Sequence, residues 1–180
     1  MLAESRSPKV QDPSRVFVVH GRDEDLRRAL FDFLRAIGLK PIEWSQAVDM
    51  SSTPSPYIGD ILDAALRHAQ AVIVLLTGDD EGRLREELIR PDDPDYERQL
   101  IPQPRLNVLF EAGLALGRYP QRTILVQAGR FKPFSDIAGR YTIRLRNTPQ
   151  ARQELAQRLK RAGCPVDLSG QDWQDAGFFS

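Results

Sequence analysis

Cysteine is almost absent from this chain of 180 residues: there is one, Cys164. A single thiol rules out an internal disulfide framework and fits a reducing compartment. Histidine is nearly as scarce, with His20 and His68 only. A zinc centre or a Cys–His nucleophile pair therefore has too few ligands to build from. Charge of one sign is not in excess either, because 25 basic residues balance 25 acidic ones. That balance argues against a general binder of nucleic acid or of anionic membranes, both of which call for a basic surplus. No apolar run approaches the roughly 20 residues needed to span a bilayer. Residues 1–14 are polar and hold two prolines, without the apolar segment of a secretory signal. They read as a flexible N-terminal tail, and the chain as cytoplasmic. There is no internal repeat, no G-x-G-x-x-G fingerprint, and no G-x-S-x-G around Ser135.

What is present is an alternation of short β-rich apolar runs with helical patterns. Val16-Phe17-Val18-Val19 reads as a strand buried on both faces. Asp23, Glu24 and Asp25 open a helix whose inner stripe is Leu26, Leu30, Phe33, Leu34 and Ile37, and Gly38 stops it. Pro41 to Trp44 reads as a brief second strand, and Ser45 to Pro56 as a loop. A helix from Tyr57 or Ile58 leads to Ala71–Thr77, the strongest strand and the expected centre of the sheet. Gly78 to Gly82 is its exit turn. Arg83 to Pro104, charged and with four prolines, reads as a surface excursion with a helical turn or two at Arg83–Ile89. Arg122–Val126 and Tyr141–Leu145 are the last strands, with a loop at Phe131–Gly139 between them. Thr148-Pro149 starts the last helix with a cap and a first-turn proline. The fold class implied is α/β: a flavodoxin-like three-layer sandwich on a five-stranded parallel sheet of order 2-1-3-4-5.

The residue that stands out is Glu111. It sits in Arg105–Arg118, a largely apolar helix, flanked by Leu109, Phe110, Ala112 and Leu114. A carboxylate in such company has its charged form disfavoured. Asn107 lies one turn before it on the same face, and Arg118 further along it. Gly113 and Gly117 leave one side smooth. Ligands in such sheets bind beyond the strand carboxyl ends at the switch point. The residues delivered there are His20–Asp23, Trp44 with Ser45, and Thr77–Asp80. Gly21, Arg22 and Asp23 suit a phosphate at a turn and helix N-terminus, or form a plain turn capped by Asp23. Trp44 stacks on a base or packs in the core. Asp79 and Asp80 contact sugar hydroxyls or are solvated, and as two vicinal acids they make a weak metal case. Asn107 either orients Glu111 or caps the helix. His20 reads as a packed strand-end residue, and Trp173, Phe178 and Phe179 as a tail that folds back.

Four segments, Val16–Asp23, Val74–Gly82, Asn107–Gly113 and Pro133–Gly139, follow one another in an order that resembles the TIR-like domains of bacterial defence effectors, related to Toll/interleukin-1-receptor domains. The resemblance spans residues 15–166, leaving 167–180 as a C-terminal tail. The family often has proline where Gly78 stands. The resemblance implies cleavage of the nicotinamide–ribose bond of NAD⁺, with Glu111 as the key acid and no metal or second cofactor. It also implies activity through self-association, triggered by a cyclic-nucleotide-sensing partner or a fused sensor, in anti-phage defence. Residues 45–56 occupy the place of the family's assembly loop. Two other functions are compatible with these residues. One is a nucleoside deoxyribosyltransferase-like enzyme, which also sets a glutamate against an N-glycosidic bond. The other is a TIR adaptor that only binds proteins.

Overall fold

The computed structural model describes residues 12–51, 53–132 and 139–179. Most of the Pro133–Gly139 segment, Ser135 included, lies outside these, as does the N-terminal tail before Asp12. The elements run β1 (Arg15–Val19), α1 (Glu24–Ala36), β2 (Lys40–Ile42), α2 (Trp44–Asp49), α3 (Ile58–His68), β3 (Ala71–Leu76), β4 (Asp80–Gly82), α4 (Asp95–Arg98), β5 (Ile101–Gln103), α5 (Leu106–Arg118), β6 (Thr123–Ala128), β7 (Thr142–Leu145) and α6 (Pro149–Arg161). Five strands form a parallel sheet of order β2-β1-β3-β6-β7. Counted without the short β4–β5 ribbon, this is the order 2-1-3-4-5.

Strand periodicity splits the core in two. Val16, Val18, Ile73 and Leu75 point to one side, with Leu30, Phe33 and Leu34 of α1 and Leu155 and Leu159 of α6. Phe17, Val19, Val72, Val74 and Leu76 point to the other, with Ile61, Leu62 and Leu66 of α3 and Val108, Ala112 and Ala115 of α5. Every residue of β3 is buried. This is the continuous apolar pattern of a strand covered by helices on both faces. Fully burying each such side chain stabilises the fold by about 1.5–3 kcal/mol.

Two readings of the sequence are corrected here. Trp44 is not in a strand, and the segment after it is not all loop: β2 stops at Ile42 and Trp44–Asp49 is a helix. The cause is local, since Gln46 Oε1 accepts the Glu43 backbone N–H at 3.0 Å, closing the first turn. Arg27 of α1, half-buried, holds the same Glu43 at 3.2 Å. The excursion after β3 is also more regular than expected. Asp80–Gly82 pairs antiparallel with Ile101–Gln103, so the chain leaves and re-enters through a two-stranded ribbon. Lys132 pairs with Glu97 against its base.

At the ends the chain is tied down. Ser14, assigned to the N-terminal tail, is buried, and its carbonyl accepts the Lys40 N–H at 2.8 Å. Beyond Val166 the chain crosses α1 and α6, and Phe179 is buried against Phe33, while Phe178 is exposed. The fastener is Arg152, which is 1 % exposed. Its guanidinium donates to Asn147 Oδ1 at 2.6 Å and to the carbonyls of Ala176 and Gly177, and it lies over the Phe179 ring. Backbone carbonyls thus do the work of a carboxylate partner, and none of its donors is stranded. Gly177 has φ +70, and a Cβ there would lie 2.0 Å from the Ala29 carbonyl oxygen.

A Gly177→Ala substitution is therefore expected to cost roughly 2–4 kcal/mol. Gly38→Ala, also at positive φ but with only ordinary contact to Asp167, should cost about 1 kcal/mol. Urea denaturation of the two variants checks the ordering.

Candidate active site

The first helix turn of α5 follows buried Pro104 and its N-cap, Arg105. Val108, Ala112 and Ala115 press that helix onto the sheet beside β1 and β3. Asn107, Val108 and Glu111 then share the side that looks past the carboxyl end of β1. There β1 releases the chain into His20-Gly21-Arg22, and Trp44 arrives from the start of α2. Between them lies a pocket of about 210 Å³, walled by Val19, His20, Gly21, Arg22, Arg105, Asn107 and Glu111, with Trp44 at its mouth.

Glu111 is half-buried. Withdrawal from water pushes its carboxyl from the ordinary 4.5 up to about 7, and no cation lies close enough to oppose that shift. At neutral pH the group is thus poised between its two forms, as a reacting acid would be. His20 Nδ1 lies 2.9 Å from the Gly21 carbonyl, which can only accept, so this nitrogen donates. The ring also meets Phe31 edge-on, so the packing role read from the sequence and a place on the pocket wall hold together.

The turn at Gly21 is braced by a residue from the loop after β3. Asp79 Oδ2 accepts the Arg22 backbone N–H at 2.7 Å. A Cβ on Gly21 would fall 1.5 Å from that oxygen, so only glycine lets the carboxylate in. Asp23 is engaged as the α1 cap, accepting the Leu26 N–H at 2.9 Å. Asp80 faces Arg105 at 3.7 Å.

Of the residues singled out from the sequence, the structure gathers Gly21, Arg22, Trp44, Asn107 and Glu111 around one pocket. Asp23, Ser45, Asp79 and Asp80 do not line it. Asp79 and Asp80 act one step back, on Arg22 and Arg105. Arg118, on the same helix as Glu111, turns instead to Asp63 of α3. Sequence reasoning missed Arg105. A cation directly before a helix N-terminus, six residues ahead of the singled-out acid, was the available signal. Cys164 is buried and its thiol is pushed up to about 12, which leaves it inert. Among the described residues there is no cluster of His, Cys, Asp and Glu fit to hold a metal ion, and no helix is long and apolar enough to cross a membrane.

A parallel sheet of this order, with an acid from the helix after the excursion facing the turn after β1, is the arrangement expected of a TIR-type domain. Residues 15–147 match the family described as the TIR domain of CAP12/Pycsar effector proteins, and the chain belongs to that family. It is 31% identical over 155 residues to the uncharacterized protein YuaY of Escherichia coli (strain K12), covering 85% of this chain and 47% of that protein. It is 26% identical over 111 residues to protein tirC of Dictyostelium discoideum, covering 62% of this chain and 50% of that one. The chain thus spans about half the length of the curated relatives it matches.

Two outcomes are expected. Removing the Asp79 carboxylate in Asp79→Ala should cost about 1.5–3 kcal/mol, the worth of a hydrogen bond to a charged group. It should also speed hydrogen exchange at the Arg22 amide. For Glu111 the folded pKa is raised, so the stability that goes with its neutral form is full below about 4.5 and is lost as pH rises to about 7. Glu111→Gln should therefore melt with the parent at pH 4 and above it beyond pH 7. With partial exposure discounting the effect to on the order of 1 kcal/mol, the gap is about 2–4 °C.

Proposed function

We propose that this TIR effector domain cleaves NAD⁺ at the nicotinamide–ribose bond. The observation that carries the reading is the half-buried Glu111 carboxyl, raised to about 7, on the wall of the pocket at the end of β1. The C1′–N bond breaks with its electron pair leaving on the nicotinamide nitrogen, so the base departs neutral and needs no acid. Positive charge develops on the ribose. The Glu111 carboxylate stabilises that charge, or takes it up covalently, before water attacks C1′ and releases a proton to solvent. One carboxylate suffices, where glycoside hydrolysis ordinarily uses two.

The other pocket residues have roles to match. The Arg22 and Arg105 side chains offer positive charge to the pyrophosphate. Trp44, 41 % exposed, offers a face to the nicotinamide or adenine. Asn107 stands one turn before Glu111 to orient it or the ribose. Asp79 holds the turn in shape from behind. NAD⁺ is the substrate here, and no further cofactor enters.

Activity depends on self-association in this reading. Leu106 and Phe110 on α5, the helix that carries Glu111, and Tyr57 and Ile58 at the start of α3 are large apolar side chains more than half exposed. A second copy is the occupant that covers them. Membership in an effector family supports a cyclic-nucleotide sensor, in a partner or joined to this domain, as the trigger, and the cytoplasm as the place of action.

Incubating the protein with NAD⁺ should release nicotinamide, with a rate that climbs faster than linearly with protein concentration. Glu111→Gln should lower that rate by roughly 100-fold or more while the fold and assembly persist. Turnover should rise with pH through about 7 and level off above it, because the ionised carboxylate is the working form. Cleavage of nucleosides in place of NAD⁺ would point to a deoxyribosyltransferase. Assembly without any turnover would point to an adaptor.

A further inference from the structure

A second concavity opens at the same edge of the sheet, beyond the carboxyl ends of β6 and β7. It encloses about 730 Å³, within the range of small-molecule sites. Arg130, Arg144 and Arg146 line it, and among the described residues no carboxylate does. Elsewhere on this surface arginines are commonly matched with acids, as in Arg27 with Glu24 or Arg105 with Asp80. Among the described residues, by contrast, the guanidiniums of these three make no ion pair or hydrogen bond. Three like charges facing one hollow repel each other, and an anion between them relieves that repulsion. Arginine's planar fork favours oxyanions that accept two parallel bonds, as phosphates do.

The rest of the wall narrows the choice. Phe131 is half-buried at one side and Phe179 closes another, while Gln127 adds an amide. The partly exposed Phe131 ring beside a cationic cradle suits a ligand with a flat ring as well as phosphate, while Phe179, buried, only closes the floor. Phe179 is held there by its packing on Phe33 and by Arg152, which donates to the Gly177 carbonyl and lies over the ring.

We propose that this pocket binds a nucleotide, with Arg130, Arg144 and Arg146 holding its phosphates and Phe131 meeting its base. It is distinct from the Glu111 pocket, whose lining it does not share, and it stands whether or not NAD⁺ is cleaved.

Calorimetric titration of the full chain at physiological ionic strength tests this, with ADP, inorganic pyrophosphate and sulfate as the titrants. ADP should bind more tightly than pyrophosphate, and both more tightly than sulfate. The double substitution Arg144→Ala with Arg146→Ala should weaken ADP at least about tenfold, or about 1.4 kcal/mol. Both positions are exposed, so the variant should melt as the parent does. In the Arg22→Ala background, which weakens the Glu111 pocket's own hold on a pyrophosphate, ADP should still bind and the double substitution should still weaken it. The proposal is overturned if the double variant binds ADP like the parent, or if Arg22→Ala loses it instead. It is equally overturned if sulfate at equal ionic strength matches ADP, or if ADP gains nothing over pyrophosphate.

Discussion

Everything in this domain is hung on the pairing of β1 with β3. The two strands sit side by side with Val16 against Ala71 and Val19 against Val74, and both are sealed between helical layers. Because neither face sees water, all polar business is driven to the strand ends. The turn after β1 emerges where its neighbours on either side lead the chain apart, and so a crevice is unavoidable there. A helix pressed onto the same pair of strands brings its carboxylate to the rim of that crevice.

The crevice shows a division of labour among acids. Glu111 is left without a cation and pays in desolvation, which keeps it near the point of changing its charge. Asp79, Asp23 and Asp80 are each spent on a donor: a turn amide, a helix cap and an arginine. A reactive group must be underserved by its surroundings, whereas a structural one is satisfied by them. That contrast, more than the presence of acids as such, separates the residue that can do chemistry from those that hold it in place. The second pocket repeats the logic with the opposite sign, since its arginines are the unserved ones.

How legible this was in the residues depends on the range of the forces involved. The alternation of Val16–Val19, the α1 stripe and Ala71–Thr77 is local, and the sheet order followed from it. The oddity of Glu111 was also local, because it is visible against its own helix neighbours. The helix at Trp44–Asp49 was missed although its signal was on the chain, in Glu43 and Gln46, whose capping contact outweighed the β-leaning of Trp44. The β4–β5 ribbon was missed for a different reason: Asp80–Gly82 has no strand pattern and becomes one only by meeting Ile101–Gln103.

The chain by itself determined the class of sheet, the two-sided core and the identity of the exceptional acid, since periodicity and local composition act over a few residues. Only the tertiary structure decided that Asp79 braces the turn from 57 residues away, that Arg105 joins the pocket, and that Arg152 draws the terminus across the molecule. Those pairings depend on through-space distance between side chains remote in sequence. Whether a buried charge is paired or stranded is a property of the folded surroundings, and no stretch of residues holds that information alone.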